Sequence, residues 1–233
     1  MALAALFAVG AVPAAEGRGL FLEEPPWHRP ALADTVIALE LGCTATTGDT
    51  TAFLLQSALG PVRRGPLRLA FTWQFVSVRT AAGQEFGFGD PLVYAQLRLA
   101  GGPGSRAALA VEGRARIPTA PAALFPYATG GQEIELGGTL GLGAPRRVLC
   151  GGGYIWSEPP AGGHLAAADV PHATHGFVAL AHRIAAWAVR LRGDTLWMET
   201  GSTRTQLELS VARWSGSGLR PTLACGVEAG PGA

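Results

Sequence analysis

The sequence predicts an all-β protein, an antiparallel up-and-down transmembrane β-barrel of about 10–12 strands. Three observations support this prediction. Apolar and polar residues alternate in one segment after another from Thr35 onward, as in strands that have one apolar and one polar face. No stretch approaches the ~18–20 continuous apolar residues of a transmembrane helix. Charged residues make up only 15% of the chain and Lys is absent, which is little charge for a surface in water.

The N-terminal residues predict export and an irregular segment before the barrel. Residues 1–15 form an apolar run that ends in small residues, which is typical of a signal peptide, although no positive charge precedes the run. Residues 16–34 contain three prolines and predict an irregular segment, with Trp27 and His28 as packing residues. Residues 35–233 are the expected barrel domain, because one domain suffices for this length.

Several spans have the alternation of a half-apolar strand. In residues 67–75 large apolar side chains occupy every odd position, and Arg, Ala, Thr and Gln occupy the even ones. Residues 178–192 also fit a helix loosely, but their alternation favours two strands that meet around 183–186. The other clear spans are 35–42, 93–99, 107–117, 134–142, 187–193 and 207–211, and the weaker ones are 51–58, 148–156, 176–183 and 222–229. Bacterial single-chain barrels have even strand numbers, so about ten or twelve strands are expected.

The polar faces of these spans combine Arg with Asp and Glu. Alternation alone does not distinguish a lumen from the outer face of a soluble sandwich. The absence of Lys favours a lumen in which opposite charges pair across neighbouring strands. Such residues either set transport selectivity or form structural ion pairs. The lumen-lining candidates are Arg68, Arg98, Glu112, Arg114, Arg116, Glu133, Glu135, Arg190, Arg192, Asp194 and Glu208.

Aromatic residues lie near the ends of several spans. Trp73, Phe75, Trp156, Trp187 and Trp197 all have such positions. Aromatic girdles at both membrane interfaces are typical of transmembrane barrels. Together with the predicted signal peptide, these positions favour a membrane location over a soluble β-sandwich.

One stretch resembles an outer-membrane protein family. Phe86-Gly-Phe-Gly-Asp90 opens a span that ends in Arg98-Leu99, and the next span ends in Ile117-Pro-Thr-Ala120, with Ala where Gly is expected. A Gly130–Gly137 segment follows. These turn motifs resemble those of the MetA-pathway of phenol degradation family over roughly residues 86–156.

The resemblance implies an outer-membrane protein that helps small, often aromatic or hydrophobic, compounds across the membrane. It implies no catalytic residues. The chain departs from the family at its C-terminus, where residues 226–233 lack the usual terminal aromatic residue.

Other chemistries have weaker support. His172 and His175 would face opposite sides of a strand, so with His182 they are interpreted as loop or rim residues, and no metal or cofactor is expected. A membrane-embedded hydrolase would need His172 or His175 as base and Ser202 as nucleophile, but nothing in the spacing brings them together. The three cysteines lie far apart, as expected of small apolar strand residues.

The function expected from the sequence is a non-enzymatic channel or uptake protein for small molecules in the bacterial outer membrane. Its partners would be outer-membrane lipid and a small solute. A net charge of +1 offers no basic surface for nucleic acid. The alternatives are a structural envelope barrel without transport and a soluble exported β-sandwich or lipocalin-like binding protein.

Overall fold

The structure is a computed structural model of the chain, and it describes residues 3–9, 28, 37–45, 51–80, 83–101, 105–119, 131–143, 148–158, 172–213 and 222–229. These residues form thirteen strands: β1 Leu3–Val9, β2 Ile37–Ala45, β3 Thr51–Arg64, β4 Leu67–Thr80, β5 Gly83–Phe88, β6 Leu92–Ala100, β7 Ala107–Arg116, β8 Gln132–Leu142, β9 Val148–Glu158, β10 Ala173–Ile184, β11 Trp187–Met198, β12 Thr203–Arg213 and β13 Thr222–Ala229.

All thirteen strands belong to one sheet with the order β3-β2-β1-β13-β12-β11-β10-β9-β8-β7-β6-β4-β5, and β3 also pairs with β4. From β6 to β13 each strand is antiparallel to the next one along the chain. The all-β, antiparallel character that the sequence predicts is confirmed. Among the described residues, no helix is long and apolar enough to cross a membrane.

The first strand departs from the uniformly antiparallel pattern. β1 lies within the apolar run predicted as a signal peptide, and it pairs in parallel with both β2 and β13. Of the predicted irregular segment 16–34, the described part is His28 alone. The sequence Thr47-Gly-Asp49 also predicts a turn after β2, and these residues lie outside the described ranges.

The strand number exceeds the expected ten to twelve because two strands form where none was predicted: β1 in the predicted signal peptide, and β5 just before the Gly89-Asp-Pro91 turn motif. The Phe75–Thr80 half of β4 pairs with β5, and the Leu67–Thr72 half pairs with β6. The two short strands therefore lie end to end along one edge of β4. Gly89, Asp90 and Pro91 separate them.

The turn motifs noted in the sequence contact each other at this break. The Asp90 carboxylate is fully buried and accepts a hydrogen bond from the Thr119 backbone N–H at 2.8 Å. The Thr119 hydroxyl donates to the Gly89 carbonyl at 3.3 Å. The Gly-Asp-Pro motif is therefore a break between two collinear strands, fixed by the end of β7, and not a hairpin turn.

The weaker predicted spans all form strands, and most are longer than predicted. The segment that also fitted a helix forms β10 and β11, joined by a tight turn in which Ala185 has φ = 52°. Both strands are paired along both edges with strands on either side. Because this pairing extends them beyond the alternating residues, the alternation predicts strands that are too short.

The two faces of the sheet have opposite burial. Charged and polar side chains of β6–β12 are mostly buried, whereas the large apolar side chains between them are exposed. On β11, Arg190 and Arg192 are 3% and 2% exposed, while Leu191 between them is 41% exposed. The buried face also holds small apolar clusters of Ala70, Leu92 and Tyr94, and of Ile155, Ala173 and Leu196.

Candidate functional site: a buried charge network

The first part of the site is a set of cross-strand ion pairs between β7 and β8. Arg114 lies opposite Glu135 in the register, and Arg116 lies opposite Glu133. The Arg114 guanidinium is 3.2 Å from Glu135 and 3.9 Å from Glu133, and Arg116 Nε donates to Glu133 at 3.1 Å. Directly opposed charges of this kind stabilise a strand pair.

The second part lies on β11 and β12. Arg192 donates to Asp194 on the same face of β11, with N–O distances of 2.5 and 2.6 Å. Arg190 donates to Glu208 of β12 at 3.1 Å. All four side chains are largely buried, so each charge depends on its partners for solvation.

His175 joins the two parts. Its Nδ1 is 2.8 Å from Glu135 of β8, and its Nε2 is 3.1 Å from Asp194 of β11. Both ring nitrogens are thus used, and the side chain is 8% exposed. The network therefore runs from β7 through β8 and β10 to β11 on the buried face, and the Arg190–Glu208 pair lies on the same face beside it.

His28 enters this network from outside the sheet. Its Nε2 is 2.7 Å from Glu112 of β7, and its Nδ1 is 3.3 Å from the Arg192 guanidinium of β11. Its ring lies 5.0 Å from the Phe177 ring of β10, and Arg192 lies 4.2 Å above that same ring. Glu112 also accepts hydrogen bonds from Gln96 and from Thr139.

Glycines of β7, β8 and β9 form the floor beneath these side chains. Gly137 pairs with Gly153, and Gly152 pairs with both Gly138 and Gly176. Without side chains on this floor, a small, open-mouthed cavity of about 30 Å³ lies beside His28. Its lining is His28, Glu112, Gly113, Arg114, Glu135, Gly137, Gly138, Thr139, Gly152, His175, Phe177 and Arg192.

Most of the predicted lumen residues meet in this network. Nine of the eleven candidates take part in the bonds given above: Glu112, Arg114, Arg116, Glu133, Glu135, Arg190, Arg192, Asp194 and Glu208. The other two, Arg68 of β4 and Arg98 of β6, are half-buried on the strands beside it.

Sequence reasoning missed several members of the site. His175 was interpreted as a loop or rim residue, but it lies inside β10 and on the buried face. The signal was present, since Thr174, Val178 and Leu180 face the exposed side and His175 has the opposite parity. The other missed members are His28, Gln96, Thr139 and Phe177.

The other histidines and Ser202 lie elsewhere. His172 accepts a hydrogen bond from the Ser157 backbone N–H at 3.0 Å, and His182 is exposed at the far part of β10. Ser202 Oγ donates to the Met198 sulfur at 3.2 Å. Within the described ranges, no group of three or more His, Cys, Asp or Glu side chains is arranged to hold a metal ion. The Cys150 side chain is a half-buried free thiol.

No protein-family model, curated protein or solved structure matches this chain. Its function is therefore argued from the geometry of the sheet and of this network.

Proposed function

We propose that this chain is a bacterial outer-membrane β-barrel that lets small molecules cross the membrane. The observation that supports this most is the distribution of side chains between the two faces of the sheet. A soluble β-sandwich buries its apolar face and exposes its polar one. Here the polar face is buried and large apolar side chains are exposed. This arrangement suits a barrel whose apolar face contacts lipid and whose polar face lines a lumen. The same distribution of side chains argues equally against a lipocalin-like binding protein.

The strand pairings support closure of the sheet into a barrel. β3 bonds to both β2 and β4, and β1 bonds to both β2 and β13. An unpaired strand edge in lipid would leave N–H and C=O groups without partners, which costs several kcal/mol per group. Because β1 is parallel to both neighbours, β2 and β13 run in the same direction and would pair in parallel if export removed residues 1–15.

Exposed aromatic side chains near one end of the strands support an interfacial position. Trp156 and Trp197 are 47% and 49% exposed and lie near the ends of β9 and β11. Tyr154 packs against Trp156 with ring centroids 4.7 Å apart. On β4 and β5 a second exposed group comprises Trp73, Phe75, Phe86 and Phe88. Trp73 and Phe75 lie at the middle of β4 and not near a strand end as predicted, so this group does not add to the support.

The interior favours small polar solutes over the hydrophobic compounds that the family resemblance implies. A lumen lined by Arg114, Glu135 and Arg192 would not compensate a hydrophobic solute for lost contacts with lipid, but it offers hydrogen bonds to a polar one. The same dense pairing favours one alternative, a structural envelope barrel whose lumen is blocked. Whether a solute permeates distinguishes a transporting barrel from a structural one.

The test is solute release from proteoliposomes. We expect purified protein, refolded into phospholipid vesicles, to release small sugars or ions that protein-free vesicles retain. Release of no solute at any size would contradict transport and favour the structural barrel. Gel mobility that changes on heating the detergent-solubilised protein would test barrel closure separately.

Replacement of Arg114 should change ion selectivity if the network lines a conduction path. Arg114→Gln removes one positive charge beside Glu133 and Glu135, so the interior becomes more negative. We expect the ratio of cation to anion permeability, measured from reversal potentials in a salt gradient, to rise. Arg213→Gln is the matched control, because Arg213 is exposed at the end of β12 on the apolar face of the sheet, and it should leave the ratio unchanged. An unchanged ratio in both variants would place the ion path elsewhere.

A further inference from the structure

The His175 ring lies between two carboxylates, and each of them also receives hydrogen bonds from an arginine. Nδ1 of the ring is 2.8 Å from Glu135 of β8, and Nε2 is 3.1 Å from Asp194 of β11. The Arg114 guanidinium is 3.2 Å from the Glu135 carboxylate, and Arg192 donates two hydrogen bonds to Asp194. A carboxylate that is paired with a guanidinium is ionised, and an ionised carboxylate can only accept hydrogen bonds.

A ring between two such acceptors has to donate a hydrogen bond from both nitrogens. Neutral imidazole carries one N–H, so its other nitrogen would direct a lone pair at a carboxylate, whereas imidazolium carries two. The His175 side chain is 8% exposed, so water does little to relieve such a repulsion. We infer that His175 is a fixed imidazolium whose positive charge helps to set the ion selectivity of the lumen. The role in selectivity rests on the proposed function.

Glycines allow the His175 ring to reach across a whole strand. β9 lies between β10 and β8, and its residue paired with His175 is Gly153, which pairs in turn with Gly137 of β8. Neither glycine has a side chain, so the imidazole ring can extend over this row to Glu135. The Arg–Glu pairs described above join adjacent strands, whereas His175 joins β10 to β8. Its charge therefore lies over the sheet and not within one strand pair.

An imidazolium at this position balances the charges of the network. The nine predicted lumen residues that take part in it comprise four arginines and five carboxylates, so one negative charge is left over. The charge on His175 offsets this excess. The local potential of a narrow polar path decides which ions it favours, so loss of that one charge should favour cations.

The other histidine of the buried face does not supply the same charge. The Arg192 guanidinium can only donate hydrogen bonds, so His28 Nδ1, which lies 3.3 Å from it, acts as an acceptor and carries no proton. His28 Nε2 then donates to Glu112 at 2.7 Å. The Phe177 ring lies between the two histidines, with centroids 5.0 Å from His28 and 5.7 Å from His175. The two rings therefore have different partners and different protonation states.

The first test determines the protonation state of His175 by nuclear magnetic resonance. In protein with isotope-labelled histidine, refolded into lipid, the chemical shifts of the ring nitrogens distinguish an imidazolium from a neutral ring. We expect two protonated nitrogens in His175 at neutral pH, where a free histidine side chain is mostly uncharged. His182, which is exposed on β10, is the internal reference and should be mostly uncharged. Replacement of each histidine in turn by Gln assigns the signals, so His175 is identified by elimination even if His175→Gln does not fold.

The second test measures ion selectivity from reversal potentials in a salt gradient. His175→Gln removes the charge but keeps a hydrogen-bonding side chain, and His175→Lys keeps the charge. We expect the ratio of cation to anion permeability in His175→Gln to rise about as much as in Arg114→Gln, because each change removes one positive charge from the same face. His175→Lys should keep the wild-type ratio. His182→Gln is the matched control and should also keep it, because His182 is exposed on the opposite face.

The outcomes of the two tests are distinct. An imidazolium signal together with a raised ratio in His175→Gln, but not in His175→Lys, supports the inference. A neutral His175 ring overturns it whatever the conductance, and so does an equal rise in both variants or an unchanged ratio in His175→Gln. If the wild-type protein conducts no ion, the proposed function fails and the selectivity role fails with it, while the resonance measurement still decides the charge.

Discussion

Leu209→Arg should prevent stable insertion of the protein into a bilayer. Leu209 lies at the centre of β12, faces the exposed side at 43% and is opposite Leu191 of β11 in the register. Arginine on the lipid face of a transmembrane barrel costs about 2–4 kcal/mol at the bilayer midplane. On the surface of a soluble protein, the same change at an exposed position would alter stability by only about 0.5 kcal/mol in either direction.

The matched control for Leu209→Arg is Thr203→Arg. Thr203 is on the same strand and the same face, but at the strand end, where the cost of Arg in a membrane barrel falls to about 0–1 kcal/mol. The measurement is the free energy of unfolding in urea for protein folded into phospholipid vesicles. Equal values for both variants and wild type would contradict lipid contact at Leu209.

Gly137→Ala should destabilise the sheet strongly, whereas Gly138→Ala should have little effect. A Cβ atom on Gly137 would come closer than 3.0 Å to the backbone of Gly152 and Gly153 on β9, and real Cβ atoms essentially never approach so closely. Backbone atoms within a paired sheet cannot move aside as a flexible side chain can. Overpacking of this kind costs about 1–3 kcal/mol and sometimes more, and we expect the upper end.

The neighbouring glycine provides the control for that prediction. A Cβ on Gly138 would meet the Ala110 carbonyl at 3.5 Å, which is ordinary van der Waals contact. Gly138→Ala should therefore stay within about 1 kcal/mol of wild type. For both variants, the free energy of unfolding is measured in urea, with heat-dependent gel mobility as the readout of the folded fraction. Similar losses in the two variants would show that the close approach of β8 and β9 at Gly137 does not limit stability.

Local alternation was enough to predict every described strand except β1 and β5, and the sorting of residues between two faces. Arg190, Leu191 and Arg192 show why, because adjacent strand residues point to opposite faces whatever the neighbours are. The same rule predicted the buried charges of β7, β8 and β11. It did not predict the end-to-end placement of β5 and β6, because that depends on Thr119 bonding across to Asp90.

Contacts between distant parts of the chain were beyond sequence reasoning. His28 has no strand pattern around it, and its partner Arg192 is 164 residues away. His175 was misplaced for a different reason, since the predicted span began at residue 176 whereas β10 begins at Ala173. The parallel position of β1 likewise depends on which edges remain free after β2–β13 have paired, and local sequence does not record this.

The central claim, that the apolar face of the sheet meets lipid, is tested most directly by the surroundings of an exposed tryptophan. In a variant that keeps Trp156 and has Phe at the other five tryptophans, the fluorescent side chain is 47% exposed and close to the end of β9. After refolding into bilayers, its emission should be quenched by brominated phospholipid and protected from aqueous iodide. Quenching by iodide with no response to brominated lipid would contradict the membrane assignment.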